Sequence, residues 1–596
     1  RVRLQAARGS RTLLISSAVS WTRAASPLVA ARDTLEHQLH PENLHLTAAR
    51  HAEWWRDFWS RTRIEVASPN GLGERIVRDR DLFLYHMASS SRGPYPPKWN
   101  GSIFITDGDT RGWGSQFWLW TMEMLYWPLH AADAGELSEP FFDLYLNALP
   151  AMEAAARQRW EAAGLFLPET MPFDGPVELP AALVEPYRDR HLRNPGGAAV
   201  SADLELACRY DWHLEASTRR GGGPEGYSWI SHLTSSGAEL AVHAWWRYRC
   251  TGDRDWLRTR AYPLLRGVAE FYRSLCDRGD DGFWHVVGTN AHEDFWGVTD
   301  SIMDLAAING SVPLAIRAAE ILGMDADLRS RWREFLADLA PYPMGADPRA
   351  RALSGGALAD DAWAAGYRGA VDGSRNSEDV QLSPIFPFEN WTLETRDPAI
   401  DATALKTLAR APRHRRVMAG DSLNTAIRSP VAAIRSGSGD ALPEILGAYR
   451  AVFDGLPNGF SLFEGETAPS IEHLGLLTLI LQEALLQSVA PRPGEPEVIR
   501  LFPAWPCAWD ASFRLLARGG LLISATIRDG RIGPVEIESR HGETCRLRNP
   551  WSVPARVRRW DGADQPSNGA GAAEILTFAT RSGCRYEVIP EGETAC

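Results

Sequence analysis

Apolar residues recur along this chain at two different periods, and the change from one to the other divides it. Leu13, Leu14 and Ile15 form a short apolar run within residues 12–16, which predicts a strand. His51, Trp54, Trp55, Phe58 and Trp59 then return every three or four positions, the spacing of one helix face. From about residue 74 to 490 helical periodicity dominates, most clearly at 228–251, 254–276, 300–322 and 470–488. Ile302, Leu305 and Ile308 fall on one face there, and Gly323 is placed to cap a helix C-terminus. Two stretches rich in Gly, Pro and Asp, 163–227 and 341–395, read as long loops, and loops of that length usually carry function. So many consecutive helical hairpins predict an α/α toroid. After about residue 491 the period drops to two: Leu521, Ile523, Ala525 and Ile527 alternate, and Asp529-Gly530 predicts a hairpin turn into Ile532, Val535 and Ile537. Further β-like runs at 545–559 and 575–589 complete a small all-β domain, with 564–572 as a loop.

Composition narrows the function. The 596 residues are 44% hydrophobic and 23% charged, the balance of an ordinary globular chain long enough for two or three domains. A net charge of -12 argues against nucleic acid, which needs a concentrated basic face. No run of about twenty apolar residues is present, so no membrane span is expected. Tryptophan is unusually abundant, 24 against 20 Phe and 14 Tyr, and flat aromatic faces are what sugar rings stack on. The seven cysteines stand far apart without a CxxC pair, which excludes a disulfide framework and argues against a zinc site. The chain opens on Arg1 rather than an initiator methionine, so targeting is not legible.

Familiar site motifs are absent: no phosphate-binding glycine loop, no HExxH and no GxSxG. Carboxylates among aromatics remain. His292-Glu293-Asp294-Phe295-Trp296 precedes the helix that starts near Asp300. A glutamate flanked by Phe and Trp can be held protonated by desolvation, as a general acid must be, or can simply favour the positive end of the coming helix. Spacing alone favours the second reading. Glu472-His473 opens a strongly apolar helix and has the same two readings, a cavity-facing carboxylate or a first-turn acid. Asp107, Asp109 and Trp113 lead into Trp118, Trp120 and Glu123, which combine acids with aromatic platforms, although aromatics at helical spacing are more often core.

At these residues the sequence resembles the α-L-fucosidases and related enzymes of glycoside hydrolase family 95. The similar segments are Gly112-Trp113-Gly114-Ser115 with Glu123-Met124-Leu125-Tyr126-Trp127, Trp245 through Thr251-Gly252-Asp253 to Ala261-Tyr262-Pro263 and Phe271, Ala318–Gly323, and Leu485-Leu486-Gln487-Ser488 with Leu501–Pro506 and Ala517–Gly520. The resemblance implies a mainly α chain built on an (α/α)6 six-hairpin toroid at 74–490. It also implies a remnant of an N-terminal β-sandwich at 1–17, linker helices at 18–73 and a C-terminal β domain at 491–596. It implies an inverting glycosidase with Glu293 as general acid and Glu472 as the carboxylate that acts on water. The implied substrate contacts are Asp107, Asp109, Trp113, Trp118, Glu123, His232, His292, Glu378, Gln381 and His473, with no cofactor and no metal. The partner is a carbohydrate, and export to the periplasm or medium is expected by resemblance. Leu119 and Thr121 stand where the fucosidases carry two water-holding asparagines, and Asn376–Gln381 replaces their histidine-rich segment, so water activation and sugar recognition differ from theirs. Two alternatives stay open: a polysaccharide lyase on the same toroid, with Tyr126, His232 and Arg111 available, or a non-catalytic glycan binder.

Overall fold

Two units divide the chain, Arg1–Arg63 and Ile64–Cys596. The computed structural model describes residues 13–20, 25–98, 116–195, 197, 199–218, 227–293, 295–351, 359–367, 371–372, 378–420, 427–452, 456–461, 470–569, 571–572 and 574–592. In the first unit, helices Pro27–Gln38 and Pro41–Arg61 each begin at a proline, whose fixed φ and missing N–H suit a first helical position. The aromatic face read from the sequence is real: Trp54 stacks on Phe58 at 5.2 Å and Trp55 on Trp59 at 5.8 Å, one helical turn apart. The strand predicted over residues 12–16 does not form in its described part, residues 13–16, where Leu13 and Ile15 stand exposed. A lone strand without a ladder partner has nothing to hold it.

The second unit is helical through its middle and strand-rich at its C-terminus. Its principal helices are Leu72–Ser90, Leu119–Ala131, Ser236–Thr251, Tyr262–Leu275, Ile302–Leu322, Ser429–Arg435, Leu442–Val452 and Glu472–Leu485. Packing runs from helix to helix. The Glu472 helix lies against the Leu72, Leu119, Ser429 and Leu442 helices, and the Ser236 helix against the Leu119, Tyr262 and Ile302 helices. Gly475 sets one of these approaches: a Cβ there would stand 2.2 Å from the Met124 carbonyl oxygen, so only glycine lets the Glu472 and Leu119 helices come so close. The Ile302 helix ends at Gly323 with φ 68°, as its sequence predicts. By length and mean hydropathy this helix could cross a membrane, but it is packed inside the unit as a core helix.

The 163–227 stretch departs from its reading as loop. It contains helices Ala181–Arg188, Ala202–Cys208 and Trp212–Thr218, whose Tyr187, Leu204, Cys208 and Leu214 close on Leu179 as a small core. Each helix is two turns or so, too short for a periodic signal. Arg159 and Asp211, both fully buried, pair at 2.7 Å beneath it. Among the described cysteines Cys208, Cys250, Cys276, Cys545 and Cys584 are free thiols, whereas Cys507 is disulfide-bonded.

The C-terminal strands form two sheets. One is ordered Arg63–Ala67, Asp510–Ala517, Leu521–Arg528, Val535–Ser539, Arg585–Pro590, Ala555–Arg559 and Asp564–Gln565, with Arg531–Ile532 also on Leu521–Arg528. The other is ordered Ile575–Phe578, Cys545–Arg548, Val498–Leu501 and Leu486–Val489. Asp529 and Gly530 both have positive φ, 48° and 70°, the geometry of a tight two-residue turn. Ile523 pairs with Leu515 on one side and Ile537 on the other, so the predicted alternation faces one core.

Arginines tie these strands to the helices. Glu389 receives two bonds from Arg518, at 2.6 and 2.7 Å, and one from Arg435 at 2.6 Å, while Arg435 also reaches Glu483 at 2.7 Å. Both guanidiniums lie over the Trp246 ring, at 4.5 and 5.3 Å. Glu394 binds Arg500 and Arg548 in the same manner, and Asp133 binds Arg540. Burial opposes charge on Glu389, but Arg518 and Arg435 outweigh it and hold its pKa below the usual range. Replacing Glu389 with Ala leaves two arginines buried without their shared carboxylate, so a loss of about 3–5 kcal/mol is expected. Urea unfolding of Glu389→Ala measures it; a loss under about 1 kcal/mol would show that solvent reaches the junction.

Candidate active site

Helix starts, not a loop cluster, assemble the candidate site. Glu169 accepts the Trp120 backbone N–H at 2.9 Å and the Ser236 hydroxyl at 3.0 Å, which joins the beginnings of the Leu119 and Ser236 helices. Asp304, in the first turn of the Ile302 helix, accepts Thr234 Oγ1 at 2.5 Å and Thr289 Oγ1 at 2.7 Å. Glu378 accepts the Arg428 N–H at 2.9 Å, at the entry to the Ser429 helix. Glu169 and Glu378 thus take backbone N–H groups that a helix start leaves unpaired, at its positive end.

Arg428 stands among them. Its guanidinium pairs with Glu239 at 2.7 Å and Glu123 at 3.4 Å and lies 5.1 Å from the ring centres of both Trp120 and Trp127. A cavity of about 10 Å³, room for roughly one water, separates it from the Glu378 segment. Glu123, Glu169, Glu239 and Glu378 are all buried beside this one cation. Burial raises the Glu123 pKa well above its ordinary value, with the neighbouring Glu239 adding to it. Burial likewise lifts Glu169 and Glu378 to about 8 each. Burial works against the Arg428 charge, but Glu239, Glu123 and Glu378 more than compensate and raise its pKa.

The segment holding Glu293, read from sequence as a loop, is a hairpin of strands Val287–Ala291 and Phe295–Thr299, with Val371–Asp372 on its outer edge. Two register shifts break its alternation, which is why no period-two signal shows. Asn290 anchors it by donating to the Ser228 carbonyl at 2.7 Å and accepting the Gly297 N–H at 3.1 Å. His292 turns the chain with φ 55°, a conformation uncommon outside glycine. Glu293 is 8% exposed, and the Trp296 indole N–H donates to its backbone carbonyl at 2.8 Å. The His292 ring lies 5.2 Å from that of Trp120.

Glu472 is completely buried at the first position of its helix. Tyr449, whose hydroxyl accepts the Ile427 N–H at 3.2 Å, has its pKa raised by burial and then by the charges of Glu378 and Glu472. Contacts lead from Glu378 through Arg428 and Trp120 to His292, the neighbour of Glu293, while Glu378 and Glu472 both act electrostatically on Tyr449.

Other nominated residues have different occupations. His232 is engaged at both ring nitrogens, by Ser231 Oγ at 2.6 Å and the His191 carbonyl at 2.8 Å, and holds this core rather than facing a substrate. His473 meets Ser461 Oγ at 3.1 Å. Trp118 sits in a two-stranded ribbon with its ring edge-on to Trp212 at 5.7 Å. Gln381 is half-buried on the single turn Val380–Leu382. Asp107, Asp109, Trp113 and Asp294 lie outside the described residues. Sequence reasoning missed Trp120 as a site residue, together with Glu169, Glu239 and Arg428; each looks like ordinary helix-start or loop chemistry. Among the described residues no group of three or more His, Cys, Asp or Glu side chains is arranged to hold a metal. Two cavities of about 500 and 670 Å³ contain none of the nominated residues. In the smaller one Arg249 is already paired with Glu497 at 3.0 Å.

Residues 212–410 match the model of the glycosyl hydrolase family 95 catalytic domain. Over 97 residues the chain is 29% identical to a kojibiose hydrolase of Flavobacterium johnsoniae, a match covering 16% of this chain and 13% of that protein. Over 100 residues it is 32% identical to alpha-L-fucosidase 2 of Arabidopsis thaliana, covering 15% of this chain and 12% of that one. The match thus spans about an eighth of the length of these curated relatives. In fold it is similar to the solved structure titled "Putative kojibiose phosphorylase from human microbiome", with 9% identity and a TM-score of 0.53 over 94% of this chain and 73% of that one.

The buried groups fix a pH profile. Burial lowers His130 and His473 to about 3 and His232 to about 4, and drives His191, His213 and His243 well below the ordinary value. The unfolded chain protonates these histidines below about pH 6.5 while the native one does not, so stability falls with acidification from there. Glu123, Glu169 and Glu378 act oppositely: the unfolded chain ionises them above about pH 4.5, whereas Glu169 and Glu378 keep their protons to about 8, so stability also falls as pH rises toward 8. Asp304, raised by burial to about 6, joins the glutamates, so histidines and carboxyls pull in opposite directions and stability peaks between the acid and the alkaline loss. Melting temperature measured from pH 4 to 9 checks this; a plateau extending from about 6.5 to 8 would mean the carboxyls ionise at no cost.

Proposed function

We propose that this chain, a divergent relative of the glycoside hydrolase family 95 enzymes, is a glycosidase built on a six-hairpin (α/α)6 toroid over residues 74–490, with 491–596 as its β domain. Glu293 protonates the glycosidic oxygen, and Glu472 draws the proton from a water that attacks the opposite face of the sugar ring. The bond from the anomeric carbon to the leaving oxygen breaks as the bond to water forms, and the anomeric configuration inverts. Such a reaction needs room for the water, about 6.5–9.5 Å between the two carboxyls.

The observation that carries this reading is a pair of buried carboxyl groups, Glu293 within the family-matched residues 212–410 and Glu472 at a helix start, with the Trp120 ring lying against His292, the neighbour of Glu293, and close to Arg428. The relatives' names, kojibiose hydrolase and alpha-L-fucosidase, make kojibiose and α-L-fucosides the first substrates to try. Of the residues the lyase alternative would use, His232 is engaged at both ring nitrogens, Tyr126 is bonded to Ser91 Oγ at 2.8 Å, and Arg111 lies outside the described residues.

Incubation with kojibiose, α-L-fucosides and plant polysaccharides, followed by chromatography and proton NMR, should reveal a reducing sugar of inverted configuration. An unsaturated product indicates a lyase, and no product indicates a binding protein. Glu293→Gln keeps shape and hydrogen bonding but removes the transferable proton, so kcat on a substrate with a poor leaving group should fall about 10²–10⁴-fold. A dinitrophenyl glycoside, which needs little protonation, should be affected less. Equal wild-type rates on both substrates would leave Glu293 a structural residue of its hairpin turn.

A further inference from the structure

Among the unpartnered donors at the helix starts is an indole. Trp120 is 6% exposed, and its indole Nε1–H has no partner among the described residues. Everything else about this residue is held: its backbone N–H by Glu169 at 2.9 Å, and its ring between a guanidinium centre 5.1 Å away and the His292 ring at 5.2 Å. Its neighbours offer no substitute. Leu119 has no side-chain donor, and the Thr121 hydroxyl is spent on the Trp118 carbonyl at 3.2 Å. A buried donor without an acceptor costs about 1–3 kcal/mol, and such groups call for a ligand or water that completes them. Two other buried indoles, Trp160 and Trp246, also lack partners. Trp160 lies among Phe166, His191 and His232, and Trp246 beneath Arg435 and Arg518, whereas Trp120 touches the residue beside Glu293.

We propose that Trp120 is a substrate-contacting residue whose indole N–H donates to a hydroxyl oxygen of a neutral sugar. This rests on the glycosidase reading and adds the substrate class. The charge around Trp120 decides for a neutral ligand. Among the described residues, Glu123, Glu169, Glu239 and Glu378 lie around Arg428, which already pairs with Glu239 and Glu123, so it is not left over for a sugar carboxylate. A uronic acid would bring a carboxylate into a desolvated space whose cation is already taken, and a buried charge without a partner is strongly disfavoured. A hydroxyl oxygen accepts the indole proton without that penalty.

Trp120→Phe keeps an aromatic ring beside Arg428 and His292 and deletes only the donor. Removing a donor that has no partner in the free protein should leave the melting temperature unchanged or raise it. A neutral hydrogen bond lost from the complex should weaken binding about 2–10-fold, as a rise in KM with kcat changed little. Calorimetry with kojibiose and methyl α-L-fucoside, run in the Glu293→Gln background, reads binding without turnover, and methyl α-D-glucuronide is the charged control. Weaker binding of a neutral sugar by Trp120→Phe, with the glucuronide bound by neither protein, supports the proposal. Unchanged affinity, a lowered melting temperature with unchanged affinity, glucuronide binding, or no binding of either neutral sugar would overturn it. If Glu293→Gln stays fully active while Trp120→Phe still raises KM, the acid assignment fails and the Trp120 contact stands.

Discussion

One guanidinium among four buried carboxyl groups is the constraint on which this end of the molecule depends. Arg428 is the cation that Glu123 and Glu239 share, and its own N–H is held by Glu378. Fully ionised, the four glutamates would leave a large uncompensated negative charge in a desolvated space. The native state avoids this by favouring the protonated form of three of them, as the raised values for Glu123, Glu169 and Glu378 show. The carboxyls are tolerated there because each also completes a helix start. Glu169 takes N–H and O–H donors from two helices at once, and the positive ends of those helices offset part of the cost of burial.

The hairpin that carries Glu293 is positioned by the same set of groups. Asp304 binds Thr289 on its first strand and Thr234 just ahead of the Ser236 helix, so the hairpin, the Ile302 helix and the Ser236 helix share one carboxylate. Asn290 then fixes the turn from both sides. Only with these bonds in place can His292 be held at positive φ, a conformation that costs about 1–3 kcal/mol in a non-glycine residue. On the other side, Gly475 lets the Glu472 helix close onto Met124, next to Glu123. Helix spacing, hairpin position and charge balance are therefore one problem with one solution.

Much of the fold was legible because it rests on periodicity. The Ile302 helix and its Gly323 cap, the Asp529-Gly530 turn and the alternating strand at Leu521 all follow from local pattern. The short helices of 163–227 and the bulged hairpin at 287–299 were not legible, since neither sustains a period long enough to register. Glu293 and Glu472 could be nominated from acids beside aromatic or apolar runs, and both are buried. Arg428 and Glu239 could not: a basic residue before a Ser-Pro helix start and a glutamate in a first turn look like solvated capping residues until tertiary packing brings them within 2.7 Å. His232 misled for a related reason. A histidine among polar residues reads as ligand-facing, but both its nitrogens are consumed by a neighbouring hydroxyl and a distant carbonyl that the sequence cannot place beside it.

The segment 378–395 connects the charge cluster to the C-terminal strands. It begins at Glu378, which holds the Arg428 backbone, and Asp379, which accepts the N–H groups of Arg413 and His414 at 2.8 and 2.7 Å. It continues through Glu389, itself at a positive φ of 54°, to Glu394. The partners of these last two carboxylates include Arg518, Arg500 and Arg548, all on the C-terminal side of the helices and two of them on strands of the smaller sheet. A segment with so little regular secondary structure could not carry Glu378 to a fixed point by its own hydrogen bonds. Buried bidentate arginine pairs can do so, because they fix orientation as well as distance. The C-terminal strands are therefore a brace for the site, and their arginines hold in register the stretch of chain that delivers Glu378 to Arg428.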